Sequence, residues 1–147
     1  MLVVTKFGGS SLASAQQCEK VKNIVLADPK RKVVVVSAPG KRCSDDSKIT
    51  DLLYILHAHL KYAVPYEDIW QMIRERYIEI RDDLRLDYCI EEELDIIRGQ
   101  LNKNISQDYL ISRGEFLNAK LMSKYLGYGF LLGLGTGTIY ISPVKTM

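Results

Sequence analysis

The sequence predicts an α/β protein built around a mainly parallel sheet, and three observations predict it. Leu2 to Phe7 is a short apolar run rich in β-branched residues, Val33 to Val36 is an unbroken run of valines, and the segment between repeats apolar side chains at helical spacing. Runs of that length and composition suit strands, and an uninterrupted one suits a strand buried on both faces, as in parallel sheets. Strand, helix and strand within the first 36 residues make a βαβ unit, whose crossover is right-handed in nearly all proteins.

The first strand is closed by Gly8-Gly9. Ser10 or Ser11 can cap a helix from Ser11 to about Ala27, with Leu12, Cys18, Val21, Ile24 and Val25 on one face. Asp28-Pro29 ends it, because proline disfavours the α conformation for the residue before it. Lys30, Arg31 and Lys32 then form a basic turn ahead of the second strand, and Lys41 to Ser47 reads as a mobile polar loop. Ile49 to about Val64 is helical, with Ile49, Leu52, Leu53, Leu56 and Leu60 inward, and Pro65 breaks it. Asp68 to Leu84, Glu91 to Leu101 and Ser106 to Leu126 follow as three more helices, the last stopped by Gly127.

Beyond that point Gly129, Gly133, Gly135 and Gly137 alternate with apolar residues, and a strand-like stretch begins at Thr138 to Ser142. The string G-L-G-T-G-T has the look of a nucleotide loop, but the pattern places no strand before it and no helix after it. The expected organisation is therefore one α/β unit over residues 1–128 and a divergent glycine-rich tail over 129–147. With two clear parallel strands, the sheet is expected to be incomplete and to present an open edge that invites association.

The bulk numbers exclude several functions. A chain of 147 residues, 47% hydrophobic and 26% charged, suits one globular domain. A formal charge of +2 gives no reason to expect a nucleic acid or an anionic membrane as partner. Cys18, Cys43 and Cys89 are an odd number without C-x-x-C spacing, so they read as free thiols of a reducing compartment. No apolar run reaches the length of a membrane span and no signal peptide is visible, so the expected location is cytoplasmic. His57 and His59 are two apart on a helix, the wrong spacing for shared metal ligation, and Trp70 reads as packing.

The chemistry points to the first strand's tip. Ligands of parallel α/β sheets sit beyond the carboxyl ends of the strands. Gly8-Gly9-Ser10 and Ser37-Ala38-Pro39-Gly40 therefore converge on one crevice. Two glycines let a backbone approach a ligand closely, a helix start offers N–H donors, and Lys6 adds a full positive charge. The physical reading is a phosphate cradle; the alternative is a tight turn beside a solvated lysine. Neither G-x-x-x-x-G-K-S/T nor G-x-G-x-x-G is present.

K-F-G-G-S-S, at Lys6 to Ser11, closely resembles the K-F-G-G-S/T-S opening of aspartokinases, in the amino-acid kinase family. Ser112-Arg113-Gly114-Glu115 resembles their S-x-G-E segment, and Phe116 to Leu126 continues it closely. Thr50 falls in the slot of a T-D/N-x-L helix start, and Ser37 matches the hydroxyl of a V-x-S-A segment. Without the resemblance, Thr50 reads first as a helix cap and Glu115 as a solvated charge, and Ser37 reads equally as a turn residue.

The resemblance implies a three-layer αβα amino-acid-kinase-like fold and transfer of the ATP γ-phosphoryl group to the side-chain carboxylate of L-aspartate, an early step of lysine, threonine and methionine biosynthesis. It implies Lys6 as the catalytic residue at the phosphates, with Phe7, Gly8, Gly9 and Ser10 beside it at the nucleotide. It implies Ser37, Thr50 and Glu115 around the aspartate, Glu115 pairing with its ammonium group by a charge-assisted bond. Mg²⁺ would bridge phosphate oxygens, with no protein ligand assigned. The later G-R-G-G-S-D segment and the regulatory domains of the family are missing from this sequence, and a V-D-A strand is not found after Gly127. The chain is therefore expected to be the N-terminal part of such an enzyme and weakly active or inactive alone. The alternatives are a non-catalytic subunit pairing with a full-length kinase, a homo-oligomer, or a kinase of another amino acid.

Overall fold

A computed structural model describes residues 1–132 and 139–143. β1 (Val3–Phe7) and β2 (Arg31–Val36) run parallel, with Thr5 beside Val34 and Phe7 beside Val36. α1 (Ala15–Leu26) makes the crossover between them, as the sequence predicts. β3 (Tyr128–Leu132) and β4 (Ile139–Pro143) form an antiparallel pair, and β4 joins β2 with Ile141 opposite Val34. The order across the sheet is β1-β2-β4-β3, so β1 is an edge.

The α/β class stands, but the sheet is mixed rather than mainly parallel. The correction comes from the strand at Tyr128–Leu132, which the sequence reading did not place. Gly129 obscured it, yet β3 does precede the G-L-G-T-G-T string; the string itself lies outside the described residues.

The first helix also differs. After the glycines the chain makes a short 3-10 turn, Gly9–Leu12, and α1 begins only at Ala15. Its cap is Ser14, whose Oγ accepts from the Gln17 N–H, not Ser10 or Ser11. The delay has a physical source: the Gly9 carbonyl accepts from the Gly40 N–H, so it is committed to another loop. The turn after Gly8-Gly9 is therefore too short to carry the dipole of a long helix.

α2 (Ile49–Lys61), α3 (Glu67–Asp83), α4 (Ile90–Gly99) and α5 (Gln107–Leu126) complete the fold. Ser106 caps α5, and Gly127, with φ of 69°, ends it in the left-handed conformation. Leu53, Leu56, Ile73, Tyr77, Leu94, Leu117 and Leu121 fill the space between these helices. A buried side chain of that size contributes about 1.5–3 kcal/mol relative to an exposed one.

The helices cover one face of the sheet. Val34, Val36 and Ile141 point into them and are buried, and α5 packs on β2, β3 and β4. Side chains alternate between faces along a strand, so Val4 and Leu131 point the other way, and they are 57% and 53% exposed. The described residues thus supply two of the three layers expected, and the reverse of the sheet is bare among them.

One ion pair ties α3 to the start of α4. Arg81 donates two hydrogen bonds to the Glu91 carboxylate, at 2.6 and 2.7 Å. These bonds lower the Glu91 carboxyl from 4.5 to about 2. The unfolded chain therefore takes up the proton first, and the pair's contribution is full above pH 4.5 and lost as pH falls towards about 2. Urea-unfolding free energies of Glu91→Gln should accordingly fall less steeply across that acid range than those of the parent. Parallel slopes would refute the assignment.

Candidate active site

The loops after β1 and β2 are fastened backbone to backbone. Ser37 N–H donates to the Phe7 carbonyl at 3.1 Å, and Gly40 N–H to the Gly9 carbonyl at 2.9 Å. A Cβ on Gly9 would lie 2.9 Å from the Ala38 oxygen, and one on Gly40 would lie 2.7 Å from the Gly9 carbonyl carbon. Both distances are shorter than real side chains tolerate, so each glycine is fixed by the other loop. Gly8 differs: a Cβ there would meet nothing within 4 Å.

Between these loops and the start of α2 lies a crevice of about 410 Å³. Gly9 and Ser10 line it from the first loop, Ser37 to Lys41 from the second, and Lys48 and Thr50 from the head of α2. Four residues singled out from the sequence, Gly9, Ser10, Ser37 and Thr50, thus share one wall. Two wider depressions, of about 470 and 430 Å³, hold none of those residues.

The other candidates stand apart from that wall. Lys6 is exposed, on the strand face away from the helices. Phe7 turns its ring onto the core, so backbone is what it can offer a ligand. Gly8 lies at the head of the 3-10 turn with extended backbone. Glu115 is exposed on α5, directly after Gly114.

Gly114 has a packing reason. A Cβ there would come within 3.0 Å of both the Ala38 Cβ and the Leu53 Cδ1. This close approach draws α5 against the tip of β2 and against α2, and it offsets the roughly 1 kcal/mol that a mid-helix glycine costs relative to alanine. It also sets Glu115 one residue from the second loop's contact. Asn118, one turn further, donates its Nδ2–H to the Ser37 carbonyl at 2.7 Å, fixing the other end of the same loop.

Sequence reasoning missed Lys41, Lys48, Arg76, Tyr77 and Asn118. Lys48 had a signal, since it directly precedes the helix that Thr50 opens. Lys41 and Lys48 put two ammonium groups on the crevice rim, which suits an anion. The loop from Lys41 to Ser47, expected to be mobile, is instead tied down. Arg76, only 4% exposed, donates to the Gly40 carbonyl at 2.8 Å, to Asp46 Oδ2 at 2.7 Å and to the Ser47 carbonyl at 3.1 Å. Arg42 grips the same Asp46 and also Glu79. The Arg42 hydrogen bond holds the Asp46 carboxyl well below the usual carboxylate range, while burial lowers the proton affinity of Arg76.

His57 and His59 face backbone carbonyls, of Ile105 and Pro65, as structural histidines do. Among the described residues no group of three or more His, Cys, Asp or Glu side chains could hold a metal ion. Nor is any helix among them long and apolar enough to cross a membrane.

A parallel βαβ start, a glycine-locked double loop and a helix returning to that loop define a class. Residues 1–136 match the amino acid kinase family, and the chain belongs to it. Aspartokinases are among its relatives within that family. Aspartokinase 3 of Bacillus subtilis is 38% identical over 146 residues, an alignment covering 95% of this chain and 31% of that protein. The crystal structure of Clostridium acetobutylicum aspartate kinase superposes with a TM-score of 0.85 at 46% identity, over 88% of this chain and 30% of that one. Escherichia coli aspartokinase III in complex with aspartate and ADP superposes with a TM-score of 0.69 at 30% identity, over 86% and 29% respectively. The chain therefore spans about a third of the length of the relatives it matches.

Proposed function

We propose that the chain is the N-terminal, substrate-facing part of an aspartate kinase, with residues 1–128 as its kinase-like unit. The observation that carries this is the shared crevice wall of Gly9, Ser10, Ser37 and Thr50, drawn from three separate sequence motifs. Lys6, Phe7, Gly8, Gly9 and Ser10 are assigned to the nucleotide phosphates. Ser37, Thr50 and Glu115 are assigned to L-aspartate.

In this reading the chemistry is positioning and charge neutralisation, as phosphoryl transfer requires, with no covalent enzyme intermediate. Lys6 stabilises negative charge at the transferred group, and Lys41 and Lys48 add to the field around the crevice. The Thr50 hydroxyl and the α2 start suit a substrate carboxylate, and Glu115 suits its ammonium group. Mg²⁺ would enter on the phosphate oxygens and lower their charge. A cytoplasmic location fits the same reading.

The bare sheet face favours a second reading, in which the chain works as a non-catalytic partner of a longer kinase or as a homo-oligomer. Calorimetric titration of the purified chain separates these. Binding of ATP and of aspartate, with aspartyl hydroxamate formed slowly or not at all, is the expected result. Absence of binding to both ligands, together with co-purification alongside a full-length kinase, would replace the first reading by the second. Turnover at ordinary kinase rates, about 1–100 per second, would contradict the assignment as a part.

A further inference from the structure

Two consecutive side chains of α3 hold elements that carry candidate site residues, the loop that lines the crevice and the helix that carries Glu115, yet neither side chain lines the crevice. Arg76 binds the loop after β2 at both ends, at the Gly40 carbonyl and at Asp46 with the Ser47 carbonyl. Gly40 is the residue locked against Gly9, and Ser47 is followed by Lys48, which opens α2. Tyr77, fully buried, donates its hydroxyl proton to the Gly114 carbonyl at 2.7 Å, immediately before Glu115. A buried guanidinium satisfied by a carboxylate and two carbonyls resists displacement, because each lost partner leaves a polar group unpaired. A phenol buried among apolar groups behaves likewise, and burial drives its proton affinity up.

We propose that Arg76 and Tyr77 are positioning residues of different reach: Arg76 sets the loop after β2, which runs between Ser37 and Thr50 on the aspartate side and is locked to Gly9 on the nucleotide side, and Tyr77 sets the helix that presents Glu115, on the aspartate side alone. The inference rests on the site assignment made above. The difference follows from the partners. Arg76 makes no bond to α5, and Tyr77 makes none to the loop.

The test uses the full chain with Arg76→Lys and Tyr77→Phe. Lysine keeps the charge but lacks the planar fork that reaches several acceptors. Phenylalanine removes only the hydroxyl. In Arg76→Lys the amides of Gly40 and Ile49, which donate to Gly9 and Pro39, should exchange with deuterium about tenfold faster, and ATP and aspartate should both bind about tenfold more weakly. In Tyr77→Phe faster exchange should be confined to residues 114–118, and the loss should fall on aspartate while ATP affinity holds within about twofold. A merely structural role would weaken both ligands together in Tyr77→Phe as well, in step with melting temperature, and that result would overturn the proposal. So would unchanged exchange at Gly40 and Ile49. If the parent chain binds neither ligand, the site assignment fails on its own account, and the exchange patterns alone then decide whether Arg76 holds the loop and Tyr77 the helix.

Discussion

Gly9→Ala should cost the protein about 3 kcal/mol, the upper end of what overpacking a tight site costs. The added methyl group would sit 2.9 Å from the Ala38 oxygen, 3.2 Å from the Gly40 nitrogen and 3.3 Å from the Gly40 Cα. All three atoms are backbone, so no rotamer change relieves the clash. Either the loops part, breaking the 2.9 Å bond between Gly40 and Gly9, or β1 shifts along its ladder. For a domain of this size the loss corresponds to about 6–12 °C in melting temperature.

Gly8→Ala is the matched control. Its φ of −78° suits any residue, and the new methyl group would enter open space. Stability should therefore hold or rise by up to about 1 kcal/mol, because alanine has fewer unfolded conformations to lose. If Gly8 is where phosphate oxygens approach, ATP affinity should nonetheless drop. Scanning calorimetry paired with ATP titration reads both outcomes. Equal melting temperatures for the two variants would show that the loops are not in close contact. Unaltered ATP binding by Gly8→Ala would remove Gly8 from the phosphate site.

Lys6→Met should weaken ATP binding about tenfold to hundredfold, the equivalent of the 1.5–3 kcal/mol that a hydrogen bond to a charged group contributes. Lys6 is exposed and on the face of β1 that the helices leave open, so methionine there disturbs no core contact. The melting temperature of the free protein should change little. Aspartate affinity should also change little, whereas Glu115→Gln should reverse the pattern by removing the charge that meets the ammonium group. Raising ionic strength should narrow the gap between parent and Lys6→Met, since an exposed charge is screened by salt. If Lys6→Met binds ATP as the parent does, the lysine is a solvated side chain and the nucleotide lies elsewhere.

The sequence was legible where one physical cause dominates. The valine run at 33–36, the proline stops at 29 and 65 and the left-handed stop at Gly127 each act locally, and α1, β2, α2 and α5 follow from them. It was less legible where a distant partner decides. Ser10 and Ser11 look like caps until Gly40 claims the Gly9 carbonyl, and that partner lies thirty-one residues away. Arg76 sits in a helix of mixed charge, where an arginine ordinarily reaches water; only the folded chain shows it buried against Asp46. Lys41 to Ser47 has a composition that reads as mobile, but the bonds that hold it come from α3. β3 was hidden for another reason, since Gly129 breaks the apolar run and the strand is specified by pairing with β4.

The candidate site divides in the same way. Gly9, Ser10, Ser37 and Thr50 were readable from resemblance and do meet. Lys48, at the same crevice, was passed over because a lysine before a helix looks like surface charge. Gly114, a glycine inside a helix, is explained only by the folded chain, where Ala38 and Leu53 leave no room for a side chain.

Among the described residues, nothing covers the reverse of the sheet or presses the strands onto the helices from behind. β1, at the margin, is retained by its ladder to β2 and by the bonds from Ser37 and Gly40. Those bonds join the loops that wall the crevice, so widening the crevice and shedding the outermost strand are a single event. A molecule bridging the two loops would act as a clasp on the outermost strand, raising the thermal endurance of the fold in step with its affinity and concentration.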